Sequence, residues 1–120
     1  MTATTERDWE KLKLTFCQFP RQQQIGHIAT NMARIMGALH EQKRESMARM
    51  SIRENLNFIE WIALNQSDGT VAELITLSNL LNSWESSWAE VWNDSSTRQD
   101  SANQAQYWSN RLLDRSGLAG

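Results

Sequence analysis

Apolar residues recur at helical spacing along nearly the whole chain. Trp9, Leu12, Phe16 and Phe19 fall three or four residues apart and make one seam when each residue turns about 100°. Thr5-x-x-Asp8 ahead of them resembles a capping box with Asp in place of Glu. A first helix is therefore expected from near Thr5 to Pro20, which stops it or opens the next. Arg21 to Met50 then reads as one long helix. Ile25, Ile28, Met32, Ile35, Met36 and Leu39 share a face, which Met47 and Met50 continue. Lys43 lands on that face, marking a less buried end or an outward-reaching stem. Beyond Met50 the apolar phase moves to the opposite side, and Ser51-x-x-Glu54 offers a cap. A break is expected near 50–51, with a continuous curved helix as the alternative.

The segment 52–65 is apolar on two sides, with Ile52, Leu56, Ile59 and Ala63 on one and Phe58, Trp61 and Leu64 on the other. Such a helix belongs in the middle of a bundle or at an oligomer seam. Asn65-Gln66-Ser67-Asp68-Gly69 is the clearest turn. Thr70-x-x-Glu73 is the best capping box and opens a helix over 71–93. Leu74, Leu77, Leu81, Trp84, Trp88 and Val91 recur along it at alternating spacings of three and four, with Trp92 alongside. After a loop at Asn93-Asp94-Ser95-Ser96, a last helix is expected over 97–115, with Gly117 just past its end. Its apolar side, Ala102, Ala105, Trp108 and Leu112, is thin and mostly small, so it reads as the least securely docked element.

These segments predict an all-α fold: an antiparallel bundle of four or five helices, a single domain over residues 1–120. Composition agrees. The chain has five Gly, one Pro and only two Val, Val71 and Val91, which argues for helices over a sheet. The 120 residues have room for one core.

Charge narrows the function classes. The net charge of -2 argues against a nucleic-acid partner. Residues 1–50 carry eight Lys or Arg against five Asp or Glu, while 51–120 carry four against nine. The two halves attract one another, within one bundle or between copies. Lys43, Arg44, Arg49 and Arg53 form a basic cluster with no interleaved aromatic residue, better read as cations near a helix C-terminus than as a nucleic-acid patch. Cys17 is the only cysteine, so no intrachain disulfide forms and a cytoplasmic setting is expected. No signal segment, lipidation signature or span of about 20 apolar residues is seen, so no membrane association is expected.

The six Trp are the strongest feature. Trp84, Trp88 and Trp92 stand at i, i+4 and i+8, stacked along one helix face. They either fill the core against Trp9, Trp61 and Trp108 or dock a second copy or a partner helix. The expected function is a non-enzymatic, self-associating or partner-docking helical module, with Trp84, Trp88, Trp92, Leu77 and Leu81 as anchors and Trp61 and Phe58 next. The alternative is a bundle that holds a small apolar or flat ligand in an internal pocket.

Motifs for chemistry are sparse. His27 and His40 point about 140° apart on one helix and cannot share a metal, and no Cys/His metal spacing is present. Glu41/Glu45 and Glu6/Glu10 could be half of a di-metal site, but Glu-x-x-His is missing. No metal and no cofactor is expected. Arg34-Ile-Met-Gly-Ala-Leu-His40 resembles the R-x5-H motif of HEPN-type helical ribonucleases, although the polar residue usual after the Arg is Ile35 here. The resemblance implies that Arg34 would stabilise phosphate charge and His40 would act as acid or base. By the 100° rule the two side chains point about 120° apart.

Overall fold

The structure, a computed structural model, describes residues 8–66 and 69–117. Asp8 caps the first helix by accepting the Lys11 amide at 3.1 Å. Helix α1 is Trp9–Cys17, so its start falls at Trp9, and Thr5 of the expected cap lies outside the described residues. Pro20 is the N-cap of α2, Arg21–Glu41. Four more helices follow: α3 (Glu45–Ile62), α4 (Thr70–Ser86), α5 (Trp88–Asn93) and α6 (Ser95–Ser116). A 3-10 turn, Ala63–Asn65, extends α3. The described residues contain no strand, and none of their helices is long and apolar enough to cross a membrane.

Among the described residues six α-helices stand where four or five were expected, because the expected 71–93 helix is split in two; one further break is displaced without changing the number. The displaced break comes at 42–44, not 50–51. The Gln42 and Lys43 amides both return to the Ala38 carbonyl, and Gln42 and Arg44 take left-handed backbone at φ 53 and 61. Such a stop usually carries Gly, and none is present. Met47, Met50, Ser51 and Glu54 all belong to α3, and Ser51 and Glu54 are buried in it rather than capping a helix. The second break interrupts the Leu/Trp helix at Ser87, φ −117 and ψ 31. Ser83 and Ser86 donate their hydroxyls to the Leu80 and Asn82 carbonyls just ahead of it, a competition with the backbone ladder that bends helices. The expected box at its start is also used otherwise. The Thr70 hydroxyl accepts Arg21 Nη2 at 3.0 Å, and Glu73 turns to Arg111 and Arg115.

The largest helix–helix contact is α2 on α6, followed by α2 on α3. Helix α6, expected to be loosely held, is thus the most intimately docked. Gly26 and Ala29 of α2 and Ser101, Ala102, Ala105 and Ser109 of α6 are all buried. Small side chains let the two backbones approach closely, so area lost per residue is recovered in closeness of packing. The Asp94 carboxylate caps α6, accepting the Thr97 amide and hydroxyl, and Gly117 ends it at φ 79. Leu74, Leu77 and Leu81 of α4 complete the core with Ile25, Ile28, Met32, Ile35, Ile52 and Leu112. Helix α3 meets α1 along Phe58 and Trp61, α4 along Leu56, Ile59 and Ala63 on the opposite face, and α2 along the face between them.

Candidate ligand-binding site

The chain's three phenylalanines converge on one place. Phe16 of α1 stacks on Phe58 of α3, with centroids 3.9 Å apart and planes 5° from parallel. Phe19, in the link from α1 to α2, meets Phe16 edge-on at 6.3 Å and stacks on His27 of α2 at 5.1 Å. Trp61, one turn beyond Phe58, closes the group. Helix α1 buries fully only Phe16. Its far end is held by Gln24, which donates to the Phe16 carbonyl at 3.2 Å.

A run of polar side chains lies beside these rings on α2 and α3. Arg34 Nη1 donates to Asn31 Oδ1 at 3.0 Å. Asn31 Nδ2 donates both to Glu54 Oε1 at 3.1 Å and to Asn55 Oδ1 at 3.0 Å. Asn55 Nδ2 ends the run on the Ile28 carbonyl at 3.1 Å. Asn31 and Asn55 are 2% and 0% exposed, and Glu54 is 9% exposed. Burying three such groups is costly without partners, and the bonds among them meet that demand. Between rings and polar run lies a cavity of about 260 Å³, walled by Leu12, Phe16 and Phe19 on one side and Glu54 and Phe58 on the other, with His27, Asn31 and Arg34 along α2. Its lining combines apolar and aromatic walls with a few polar groups.

The residues expected to dock a partner lie mostly elsewhere. Leu77 and Leu81 are fully buried, and Trp84, Trp88 and Trp92 are 4%, 6% and 9% exposed. Of the two places open to the Trp row, core and interface, this chain's own core is where the rings sit. The turn at Ser87 also breaks the row. Trp88 stacks on Trp92 at 5.6 Å, and Trp84 makes no ring contact among the described residues. Trp88 Nε1 donates to Glu45 Oε2 at 2.7 Å, and the Arg49 guanidinium stands 5.6 Å from its ring centroid. Phe58, buried, and Trp61, half-buried, belong to the aromatic group of the cleft.

The other motifs separate in the same way. Arg34 lines the cleft, while His40 is exposed and about 9 Å further along α2 at 1.5 Å per residue. In the basic cluster, Arg44 pairs with Glu41 at 3.4 Å and Arg53 with Glu85 at 3.5 Å. No three His, Cys, Asp or Glu side chains among the described residues are grouped to hold a metal ion. His27, Asn31 and Glu54 were missed as site residues. The available signal was polar residues at core phase: Asn55 falls three residues after Ile52 and four before Ile59, and Asn31 three after Ile28. No protein-family model, curated protein or solved structure matches the chain.

Proposed function

We propose that the chain is a helical bundle that binds a small, ring-bearing molecule in the cleft between α1, α2 and α3. In this reading α2, α3, α4 and α6 run alternately up and down as an antiparallel bundle, α1 lies across α2 and α3 as the outer wall of the site, and α5 closes the far end. The observation that carries it is the buried Asn31–Glu54 pair, with the exposed Arg34 bonded to Asn31, facing three Phe rings across an open cavity. The cleft joins Arg34 to Glu54 and not to His40, which favours binding over RNA cleavage. The exposed Cys17 thiol suits a reducing cytoplasm. Benzyl alcohol and indole serve as probes in amide-detected NMR of the full chain. Binding shifts the side-chain amides of Asn31 and Asn55, and Leu12→Trp, which fills the cleft from α1, removes those shifts. Shifts confined to other surfaces, or unchanged by Leu12→Trp, would contradict the reading.

Self-association is a second reading, and one observation favours it. The groove between α4 and α6 is lined by Thr76, Leu80, Asn103, Gln104, Tyr107 and Trp108, none of them charged, and Tyr107 is 58% exposed. The same uncharged surface on a second copy can meet it across a two-fold axis without like-charge repulsion. Light scattering on Tyr107→Glu beside the natural chain tests this: a dimer that persists unchanged in the variant rules out this groove.

A further inference from the structure

We infer that copies of this chain associate head to tail, with Leu14 on the outer face of α1 of one copy seated in the groove between α3 and α4 of the next. The contact uses neither the cleft nor the groove between α4 and α6. Charge is segregated along the chain. Residues 11–40 hold four Lys or Arg and no Asp or Glu, whereas residues 54–97 hold seven Asp or Glu and no Lys or Arg. Folding leaves charge of both signs unpaired: Lys11, Lys13 and Arg34 of the first stretch and Glu60 and Glu90 of the second make no ion pair among the described residues. The two signs also lie on different sides of α3. Helix α1, with Lys11 and Lys13 exposed, packs on the Phe58 face, and the groove that holds Glu60 lies on the opposite one.

The two surfaces are chemically complementary. The groove is a cavity of about 370 Å³ with apolar walls from Leu56, Ile59 and Ala63 of α3 and Ile75 of α4, and Glu60 is the one charged residue of its described lining. Ile75 is 50% exposed, which makes the groove an uncovered apolar strip with an acidic edge. Leu14 is 68% exposed and points about 160° away from the buried Phe16 on α1. Around it Lys11 and Lys13 outnumber Glu10. Seating Leu14 against Ile75 takes both side chains out of water and brings Lys13 toward Glu60. The apolar contact drives association, and the charges set its orientation. Groove on groove, or α1 on α1, would instead bring like charges together. Because the two surfaces differ and lie on opposite sides of α3, each pair keeps one of each uncovered, and growth continues as an open chain.

Sedimentation equilibrium of the full chain beside Leu14→Asp and Ile75→Asp tests the assignment. Both positions are exposed, and circular dichroism confirms that the variants fold. The weight-average mass of the natural chain should rise with concentration, and that of each variant should stay at a single chain. Leu14→Asp keeps an intact groove and Ile75→Asp an intact α1, so an equimolar mixture of the two should double in mass and go no further. Raising sodium chloride from about 0.1 M to about 1 M, which shortens the screening length from about 10 Å to about 3 Å, should lower the mass of the natural chain. A natural chain that stays monomeric at every concentration overturns the proposal and leaves the groove to another partner. Association that survives in either variant, that salt leaves unchanged, or that the mixture fails to restore overturns the head-to-tail pairing, and Tyr107→Glu then reports separately on the groove between α4 and α6.

Discussion

The Ser109 hydroxyl of α6 donates to the Ala29 carbonyl of α2 at 3.0 Å, across a seam where both residues are buried. A side chain of one helix can reach the backbone of another only where the two axes come close, so this bond reports the small-residue packing between them. Ala29→Leu forces that packing apart and is expected to lower stability by about 1–3 kcal/mol, the usual cost of overfilling a packed core. Ser109→Ala keeps the closeness and loses one hydrogen bond, about 1 kcal/mol. Urea melts of both variants give the comparison. An unchanged midpoint for Ala29→Leu would mean that α6 is loosely held after all.

Glu73 is gripped by two arginines, with Arg111 Nη2 at 2.6 Å and Arg115 Nη2 at 2.9 Å. The bond from Arg115, helped by that from Arg111, holds its carboxyl below the ordinary value of 4.5 against the opposing effect of burial. Because the folded value is the lower one, the link is fully present above pH 4.5 and is lost as pH falls through the folded value. Glu73→Gln should therefore be less stable than the natural chain near neutrality, by about 1 kcal/mol given the partly exposed arginines. The gap should close in acid. A gap that stayed constant from pH 7 to pH 3, measured by thermal melting, would show that the carboxylate charge does not matter there.

The parts of this fold legible in sequence are those fixed by local signals. Leu74, Leu77 and Leu81 mark the inner face of α4, and Gly117 ends α6 in left-handed backbone as its position suggested. Phase alone misled at both breaks. Gln42 stops α2 without a Gly, and the serines around Ser87 turn the chain inside a stretch whose Leu/Trp spacing never falters. Small residues on α6 looked like weak docking because spacing and size cannot show that a partner helix offers Gly26 and Ala29 opposite. The cleft was hidden for a related reason. Phe16, His27 and Glu54 come to line one space only once α1 packs on α3, a relation no local pattern encodes. Asn31 and Asn55 did leave a trace, as amides at positions where the period calls for an apolar side chain.

Asn55 is 0% exposed and joins two helices, accepting from Asn31 and donating to the Ile28 carbonyl. Asn55→Ala removes both bonds; one N–H of the Asn31 amide loses its acceptor, while the Ile28 carbonyl keeps its bond within α2. The expected cost is about 1–3 kcal/mol, the usual penalty for one buried donor left unpaired. Asn55→Asp would keep an acceptor for Asn31 while adding a buried charge beside Glu54, and should be no better tolerated. Chemical denaturation of the two variants settles the matter, and a loss under 1 kcal/mol for Asn55→Ala would mean that water enters to take the amide's place.

Arg44 supplies the opposite kind of prediction, a gain. Its backbone lies in the left-handed region at φ 61, in the short turn between α2 and α3, where a residue with a Cβ is held at a cost of about 1–2 kcal/mol. Its side chain is 67% exposed and offers only a 3.4 Å contact to Glu41, a surface pair of small value. Arg44→Gly removes the strain, adds about 0.5–1 kcal/mol of unfolded-state freedom, and should leave a net stabilisation of about 0.5–1 kcal/mol. Gln42 shares the left-handed backbone at φ 53 but also donates to the Trp92 carbonyl at 3.2 Å, so Gln42→Gly trades strain for a lost hydrogen bond and should come out near neutral. The order of the two melting temperatures is the decisive reading: Arg44→Gly above the natural chain, Gln42→Gly level with it. If Arg44→Gly melted lower, the turn at 42–44 would have to be built differently, and the hairpin of α2 and α3 that carries Asn31 and Glu54 would be placed by something other than that turn.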